Sequence, residues 1–142
     1  MTLTLEQIKQ IIPHRDPFLY IDEMIELESL KYGVGLKYVS PDEAFFKGHF
    51  PQKPVMPGVI IIESLAQVGA VDLLSHSDYH GKIAYFTGIS QAKFRRSVYP
   101  GDTLELHCEL HKIRRGFGFG HAKAYVNKEL VCEADISFAV GE

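Results

Sequence analysis

Two residues of this chain, His49 and Glu63, have side chains and surroundings suited to moving protons. His49 lies in the stretch FFKGHFPQKP, and Glu63 lies 14 positions later in the apolar run GVIIIESLAQ. A neutral imidazole with a pKa of about 6.5 is a suitable base for a moderately acidic proton. A carboxyl group among apolar neighbours loses hydration, which raises its pKa and suits it to act as a general acid. The pair predicts proton abstraction next to a carbonyl, with protonation of a leaving hydroxyl.

Gly58 and Gln67 have the positions expected of supporting groups. Gly58 opens the helix predicted to carry Glu63, where free backbone N–H groups and the positive end of the helix dipole can stabilise an enolate oxygen. Gln67 lies four residues after Glu63, on the same helix face, and can hold the carboxyl group by a hydrogen bond. Each reactive residue also has a structural interpretation. A histidine beside phenylalanines often only packs, and a helical glutamate often reaches solvent or a salt bridge.

The helix that carries Glu63 is the most apolar element of the sequence. Pro57 and Gly58 are predicted to open it, and it is predicted to run to about Ser75. A short first helix is predicted from Thr4, where Thr4-x-x-Gln7 forms a capping box, and Pro13 ends this helix. Because the long helix has few polar positions, other elements must cover nearly all of its surface.

Strands account for most of the remaining chain, since apolar and polar residues alternate there with a period of two. YPGD (99–102) and RGFG (115–118) are predicted turns between them. The patterns predict an α+β fold in one domain, residues 1–142, in which a strongly curved, mostly antiparallel sheet wraps around one central helix. The predicted strands are GVGLKYVS (33–40), KIAYFTGIS (82–90), AKFRRSV (92–98), TLELHCELHKI (103–113), HAKAYV (121–126) and VCEADISFAV (131–140).

Composition argues against several classes of protein. The net charge of −3 disfavours a nucleic-acid partner. The N-terminus has no basic stretch followed by an apolar run, so no secretory signal is predicted. The most apolar window is interrupted by Glu63, Ser64 and Gln67, so no membrane span is predicted. Cys108 and Cys132 have no C-x-x-C spacing and are predicted to be reduced, in a cytoplasmic protein.

Two stretches resemble ligand-binding motifs but have the wrong geometry. The histidines of HCELH (107–111) lie on a predicted strand and are therefore roughly 13 Å apart at ~3.3 Å per residue, too far to share a metal. GFGFG (116–120) has the wrong spacing for a dinucleotide fingerprint and lies between two strands, which predicts a glycine-rich hairpin. No metal and no organic cofactor are predicted.

Basic residues concentrate between Gln91 and Arg115. This segment holds six basic and three acidic residues, so its net charge is about +3 by simple counting, while the remainder of the chain carries −6. Lys93, Arg95 and Arg96 stand near its start. The segment is either an ordinary solvated strand face or a docking patch for an acidic partner, in which case electrostatics steers the encounter.

The connection between the two reactive residues bears on how they meet. The proline-rich segment 51–57 spans up to ~19 Å if it stays extended at ~3.1 Å per residue. Glu63 then lies a further ~8 Å along the helix at ~1.5 Å per residue. If these lengths keep the two residues of one chain too far apart to act together, a symmetric dimer would supply the base from one protomer and the acid from the other. A chain that folds back between the two residues is the alternative.

Several longer motifs carry a resemblance to a known family. IPHRDPFLYID, GHFPQKPVMPGVIIIESLAQ, KFRRSVYPGD and a terminal FAVG resemble the (3R)-hydroxyacyl-[acyl carrier protein] dehydratase family of type II fatty acid synthesis, of the FabZ type. The resemblance covers nearly the whole chain. It implies a hot-dog fold that dimerises edge to edge, often as a trimer of dimers. It also implies a hydro-lyase that forms the trans-2-enoyl thioester without a cofactor.

The resemblance further implies roles for individual residues. His49 would abstract the α-proton of the thioester, and Glu63 would protonate the departing β-hydroxyl. The N–H group of Gly58 would bind the thioester carbonyl, and Gln67 would support Glu63. The implied walls of the acyl tunnel are Phe50, Val59 and Ile62, and the implied docking residues for the acyl carrier protein are Lys93, Arg95 and Arg96.

Asp16 departs from the family pattern, which usually has an aromatic residue at this position of PHRDPF. The departure concerns local packing or the substrate entrance and leaves the catalytic pair intact. The FabA-type dehydratase/isomerase carries aspartate at the position of Glu63, so the glutamate favours simple dehydration. Added trans-2/cis-3 isomerisation, hydrolysis of the thioester and binding without catalysis are the alternatives.

Overall fold

One antiparallel sheet and one long helix make up most of the computed structural model, which describes residues 2–142. The sheet has six strands in the order β1-β2-β4-β5-β6-β3, and the long helix α2 contacts all six. The predicted α+β hot-dog arrangement is therefore confirmed. In chain order the elements are α1 (Leu5–Ile11), β1 (Glu23–Glu28), β2 (Tyr32–Tyr38), a 3-10 helix (Ala44–Lys47), α2 (Gly58–Leu74), β3 (Ile83–Phe94), β4 (Thr103–Arg114), β5 (Phe117–Val126) and β6 (Glu129–Gly141).

Helix α2 is buried almost continuously from Ile61 to Leu74, as its apolar sequence requires. Gly69 allows its close approach to the sheet. A Cβ atom at Gly69 would lie 2.8 Å from Cζ of Phe138 and 3.0 Å from Sγ of Cys108. Any larger residue there would push the helix away from β4 and β6, and the packing of the core would loosen.

Helix α1 begins with the predicted capping box, in which Thr4 and Gln7 exchange side-chain and backbone hydrogen bonds. After the helix ends, Arg15 returns to cap it. The Arg15 guanidinium donates to the carbonyl oxygens of Lys9 at 2.8 Å, Ile12 at 2.9 Å and His14 at 2.7 Å. These bonds satisfy carbonyls at the end of α1 and fix the course of the chain through His14.

The strand predictions are confirmed for β2, β4, β5 and β6, and two details differ. Strand β1 was missed, because its sequence EMIELE is acidic and buries only Met24. The stretches KIAYFTGIS and AKFRRSV are not two strands, because 83–94 forms the single strand β3. Register shifts on β3 between Phe86 and Gly88 and between Ser90 and Lys93 absorb the irregular spacing.

The alternation on the long strands follows the predicted faces. Leu104, Leu106, Cys108 and Leu110 of β4 are buried, and the residues between them are more exposed. The glycine-rich hairpin forms as predicted, with Arg115 and Gly116 both in the left-handed region at φ 53° and 79°. No helix within residues 2–142 is both long and apolar enough to cross a membrane.

Asp72 is a fully buried carboxyl group on α2. Its Oδ1 accepts the backbone N–H of Leu30 at 2.8 Å, which ties the β1–β2 hairpin to the helix. Its Oδ2 has no hydrogen-bond partner among residues 2–142. Burial raises the pKa of Asp72 to about 7, and the bond from Leu30 only partly opposes this rise.

The raised pKa of Asp72 predicts that stability falls as the pH rises. The unfolded chain loses this proton near pH 4, whereas the folded chain keeps it to about pH 7, so stability declines across this window and levels off above it. Asp72→Asn keeps the acceptor for Leu30 without the buried charge. We expect it to raise the free energy of unfolding at pH 8 by about 1–3 kcal/mol.

Urea denaturation of wild type and Asp72→Asn at pH 5 and pH 8 measures this effect. The gain should be clearly smaller at pH 5 than at pH 8, because pH 5 lies near the start of the window in which the wild-type protein loses stability. An equal gain at both pH values would contradict a role for the charge.

Candidate active site

His49 follows the 3-10 helix and is held in one tautomer. Its Nδ1 lies 2.8 Å from the carbonyl oxygen of Val55. Because a carbonyl can only accept, Nδ1 must carry the hydrogen, which leaves a lone pair on Nε2. The Phe50 ring stacks on the imidazole with centroids 4.1 Å apart. His49 is therefore oriented as a base through Nε2.

The loop after His49 turns back on itself. The backbone N–H of Val55 donates to the carbonyl of His49 at 2.9 Å, and Phe50 and Lys53 exchange backbone hydrogen bonds at 3.1 and 3.2 Å. Of the two alternatives for segment 51–57, the chain that folds back is the one observed, because these bonds close a compact turn between His49 and Val55. The N–H of Met56 then donates to Val98 at 2.8 Å and anchors the loop to the chain beyond β3.

His49 faces a cavity of about 450 Å³ at the start of α2. Gly58 is the first residue of the helix, and Pro57 before it provides no side-chain cap for the first N–H groups. A Cβ atom at Gly58 would lie 2.5 Å from the Phe94 ring, so a larger residue there would need this exposed ring to move. Besides His49 and Gly58, the cavity lining includes Val59, Phe94, Arg95 and Arg96.

Glu63 lies further along α2, with its side chain 20% exposed. Burial raises the pKa of Glu63, and a hydrogen bond from Gln67 partly opposes this rise. Gln67 Nε2 donates to Glu63 Oε2 at 3.0 Å. Since Oε2 already accepts a hydrogen bond, the protonated carboxyl group is expected to carry its hydrogen on Oε1.

The orientation of the Gln67 amide is fixed by two further hydrogen bonds. Its Oε1 accepts the backbone N–H of Tyr20 at 2.8 Å, and its Nε2 donates to the carbonyl oxygen of Phe18 at 3.0 Å. With Glu63, these partners use both amide hydrogens and one lone pair of the oxygen. Gln67 is fully enclosed at 1% exposure, so it holds Glu63 in place. The predicted contact between the two side chains is present.

Glu63 and Gln67 line a second cavity, of about 350 Å³, which does not include His49. Its wall is mostly apolar and draws on α2, on β3 and on the segment after α1. One chain therefore places the candidate base and the candidate acid in different cavities. The other lining residues are Pro13, His14, Phe18, Ala66, Ala70, Ile83, Ala84, Tyr85, Phe86 and Phe138.

The three residues predicted as tunnel walls have different locations. Val59 is 71% exposed and lines the cavity of His49. Phe50 is 52% exposed and covers the imidazole from outside. Ile62 is 4% exposed within the hydrophobic core and lines neither cavity. A tunnel formed by all three remains a prediction.

The predicted docking residues lie beside the cavity of His49. Arg95 pairs with Glu133 at 3.0 Å, and Arg96 pairs with Glu129 at 2.9 Å. Both arginines also line that cavity. Lys93 lies two residues earlier and is exposed at the end of β3.

His14 and Phe18 are the neighbours of Glu63 and Gln67 that the sequence reasoning missed. His14 Nε2 lies 3.8 Å from Glu63 Oε2, and the Phe18 carbonyl accepts from Gln67. Both belong to the motif IPHRDPF, which contributed to the family resemblance without a role of its own. Their approach to α2 spans about 50 positions of sequence, and no local pattern encodes it.

A family model described as a FabA-like domain matches residues 12–135. The match covers most of the chain and includes all the lining residues of the two cavities except Phe138. The fold and this match define the class, and the chain belongs to the FabA-like family.

Individual relatives are more specific. The chain is 55% identical over 140 residues to 3-hydroxyacyl-[acyl-carrier-protein] dehydratase FabZ of Clostridium botulinum strain Loch Maree, and 52% identical over 140 residues to the FabZ of Bacillus cytotoxicus. In both comparisons the match covers 99% of this chain and 97% of the relative.

Solved structures agree on the fold at much lower identity. The dehydratase heterocomplex ApeI:P from Xenorhabdus doucetiae superposes with a TM-score of 0.82 at 16% identity, covering 95% of this chain and 91% of that chain. A hypothetical thioesterase from Streptococcus pneumoniae gives a TM-score of 0.65 at 13% identity, covering 83% and 84%. These likenesses concern the fold alone.

The bonds of Gln67 predict two separate effects of Gln67→Leu. Loss of the hydrogen bond to Glu63 should raise the pKa of Glu63 further, because that bond favours the carboxylate. Loss of the partners of Tyr20 and Phe18 should lower the free energy of unfolding by about 1–3 kcal/mol.

Carbon-13 NMR titration of Glu63 and urea denaturation measure the two effects. Gln10→Leu on the exposed surface of α1 is the matched control and should change neither. An unchanged Glu63 titration in Gln67→Leu would show that the amide does not act on the carboxyl group.

Proposed function

We propose that this protein dehydrates (3R)-hydroxyacyl-[acyl carrier protein] to trans-2-enoyl-[acyl carrier protein] in type II fatty acid biosynthesis. The names of relatives at 52–55% identity support the reaction class. The observation that carries the proposal is the hydrogen bonding around the two reactive groups. His49 has a free lone pair at Nε2, and Glu63 has a raised pKa with Oε2 already occupied as an acceptor.

The reaction then follows from these two groups. His49 Nε2 takes the proton from the α-carbon of the thioester, and the resulting electron pair forms the double bond to the β-carbon. The bond from the β-carbon to the hydroxyl oxygen breaks, and Glu63 protonates this oxygen to give water. The product is the trans-2-enoyl thioester, with His49 as imidazolium and Glu63 as carboxylate. Return of one proton from the imidazolium to the carboxylate, through solvent, restores the enzyme.

Gly58 supports the step in which charge develops on the thioester oxygen. Its backbone N–H lies at the start of α2, where the helix dipole is positive and no side chain caps the first turn. A carbonyl oxygen bound there gains negative charge as the α-proton leaves, so the interaction strengthens towards the transition state.

The catalytic pair is proposed to form between two protomers. His49 and Glu63 line different cavities of one chain. β3 lies at the edge of the sheet and exposes Tyr85, Ile89 and Phe94, and a long apolar edge strand favours pairing with another strand. An antiparallel pair of β3 strands would form the dimer and bring His49 of the partner subunit to Glu63. Three such dimers in a hexamer are a further proposal, based on the resemblance.

The acyl chain and its carrier are proposed to use the surroundings of both cavities. Phe50, Val59 and Ile62 stay the proposed tunnel residues, beside the apolar lining contributed by β3. The acidic acyl carrier protein is proposed to dock on Lys93, Arg95 and Arg96, which adjoin the cavity of His49. The buried free thiols of Cys108 and Cys132 support a cytoplasmic location.

The catalytic roles predict the behaviour of two variants. His49→Ala and Glu63→Gln should each lower kcat at least about 100-fold while remaining folded, because each removes one of the two proton transfers. Product analysis with a short 3-hydroxyacyl carrier-protein thioester measures the rate and identifies the product. Wild-type rates in either variant, or free acid as the main product, would refute the proposal.

Mixing the two inactive variants tests the shared site. After subunit exchange, half of the dimers contain one copy of each variant, and each of these has one complete site. We therefore expect recovery to about a quarter of the wild-type activity. A mixture that stays inactive although exchange is confirmed by mass spectrometry would place both residues of the pair in one chain.

Charge reversal tests the docking patch. Arg95→Glu and Arg96→Glu should raise the apparent KM for the carrier-linked substrate about tenfold, far more than that for a short non-protein thioester, because the acidic carrier would meet negative charge in the patch. Lys31→Glu, on the exposed β1–β2 hairpin, is the control. Equal changes for both substrates would indicate damage to the cavity instead.

A further inference from the structure

His14 lies against the candidate acid without forming a hydrogen bond to it. Its Nε2 is 3.8 Å from Glu63 Oε2, and each of the two side chains is 20% exposed. A movement of less than about 1 Å would bring the two atoms within hydrogen-bond distance. Its other nitrogen, Nδ1, is buried and has no partner within residues 2–142. A buried ring nitrogen without a hydrogen bond is unusual in a folded protein and calls for a reason.

Backbone contacts hold His14 in this position. Arg15 donates to the carbonyls of Lys9, Ile12 and His14, so the ring is placed by the segment that follows α1. The carbonyl of Phe18 and the N–H of Tyr20 are bound to Gln67 on α2, which anchors the other end of this segment. The imidazole is thus kept beside Glu63 by its neighbours.

The surroundings favour the neutral form of His14. Burial lowers its pKa, and the positive charge of Arg15 lowers it further. The titratable groups around its cavity are Arg15 on its own segment, Glu63 on α2 and Tyr85 on β3. An imidazolium at this position would favour the carboxylate form of Glu63 before substrate reacts, and the general acid would be lost.

The neutral ring presents a donor to Glu63. Oε2 accepts from Gln67, and it stays an acceptor whether or not Oε1 carries the acid proton. The tautomer with hydrogen on Nε2 therefore faces an acceptor in both states, whereas the other tautomer would set two lone pairs against each other.

We propose that His14 is a positioning residue whose Nε2–H closes onto Glu63 Oε2 as the acid proton leaves. The inference rests on the proposed role of Glu63 as general acid. A hydrogen bond to a carboxylate is roughly twice as strong as one to a neutral group. The contact therefore gains strength during proton transfer and lowers the barrier, with little effect on substrate binding.

Two substitutions separate this role from simple packing. His14→Phe keeps the ring and removes the donor, and it should lower kcat about tenfold with KM within about twofold. His14→Gln keeps an N–H at a similar reach, and its kcat should remain within about threefold of wild type. The alkaline limb of the kcat profile should move to higher pH in His14→Phe, because a lost donor to the carboxylate raises the pKa of Glu63.

The measurements use the purified full-length protein with a carrier-linked 3-hydroxyacyl substrate, and His80→Phe on the surface is the control. Wild-type kcat in His14→Phe, or equal losses in folded His14→Phe and His14→Gln, would overturn the inference. If His14→Phe fails to fold, nitrogen-15 NMR of the wild-type protein can identify the tautomer of His14 at neutral pH. Hydrogen on Nε2 would support the inference, and hydrogen on Nδ1 would overturn it. Glu63→Gln with full activity would instead refute the proposed function itself.

Discussion

The three hydrogen bonds of the Gln67 amide are the constraint on which the candidate site depends. They join α2 to the segment after α1 through Phe18 and Tyr20, and they hold the carboxyl group of Glu63. Because the amide is enclosed, an unmade bond would leave a buried polar group unsatisfied at a cost of about 1–3 kcal/mol. The same side chain therefore stabilises the fold and orients the candidate acid, and it helps to hold the segment that places His14 3.8 Å from Glu63.

The candidate base and the candidate acid of the proposed reaction line different cavities. The start of α2 has Gly58 and the candidate base His49 with two arginines nearby, whereas the middle of α2 has the candidate acid Glu63 in a mostly apolar wall. Within one chain the two groups are held apart, and the proposed dimer brings them into one site. Burial raises the pKa of Glu63, and the hydrogen bond from Gln67 partly opposes this rise. Burial and the adjacent arginine also favour the neutral form of His14.

Much of the fold and part of the site could be predicted from local patterns. The period of the strands, the apolar run of α2 and the four-residue spacing of Glu63 and Gln67 each depend on neighbours in sequence, and each was confirmed. Strand β1 was missed because its acidic residues hide a single buried Met24. The turn between His49 and Val55 and the approach of His14 to Glu63 depend on backbone hydrogen bonds and tertiary contacts, which leave no periodic signal.

The closed turn after His49 also means that the conformational entropy of this loop is lost when the chain folds and not when a ligand binds. Backbone hydrogen bonds within residues 49–55 and the bond from Met56 to Val98 hold the imidazole in one direction before any ligand arrives. Ordering a free loop of this length would cost roughly 1–2 kcal/mol per residue, and here that cost is met when the chain folds. In the proposed reaction, the binding energy of the acyl group is therefore not used to order this loop and can position the reacting atoms instead.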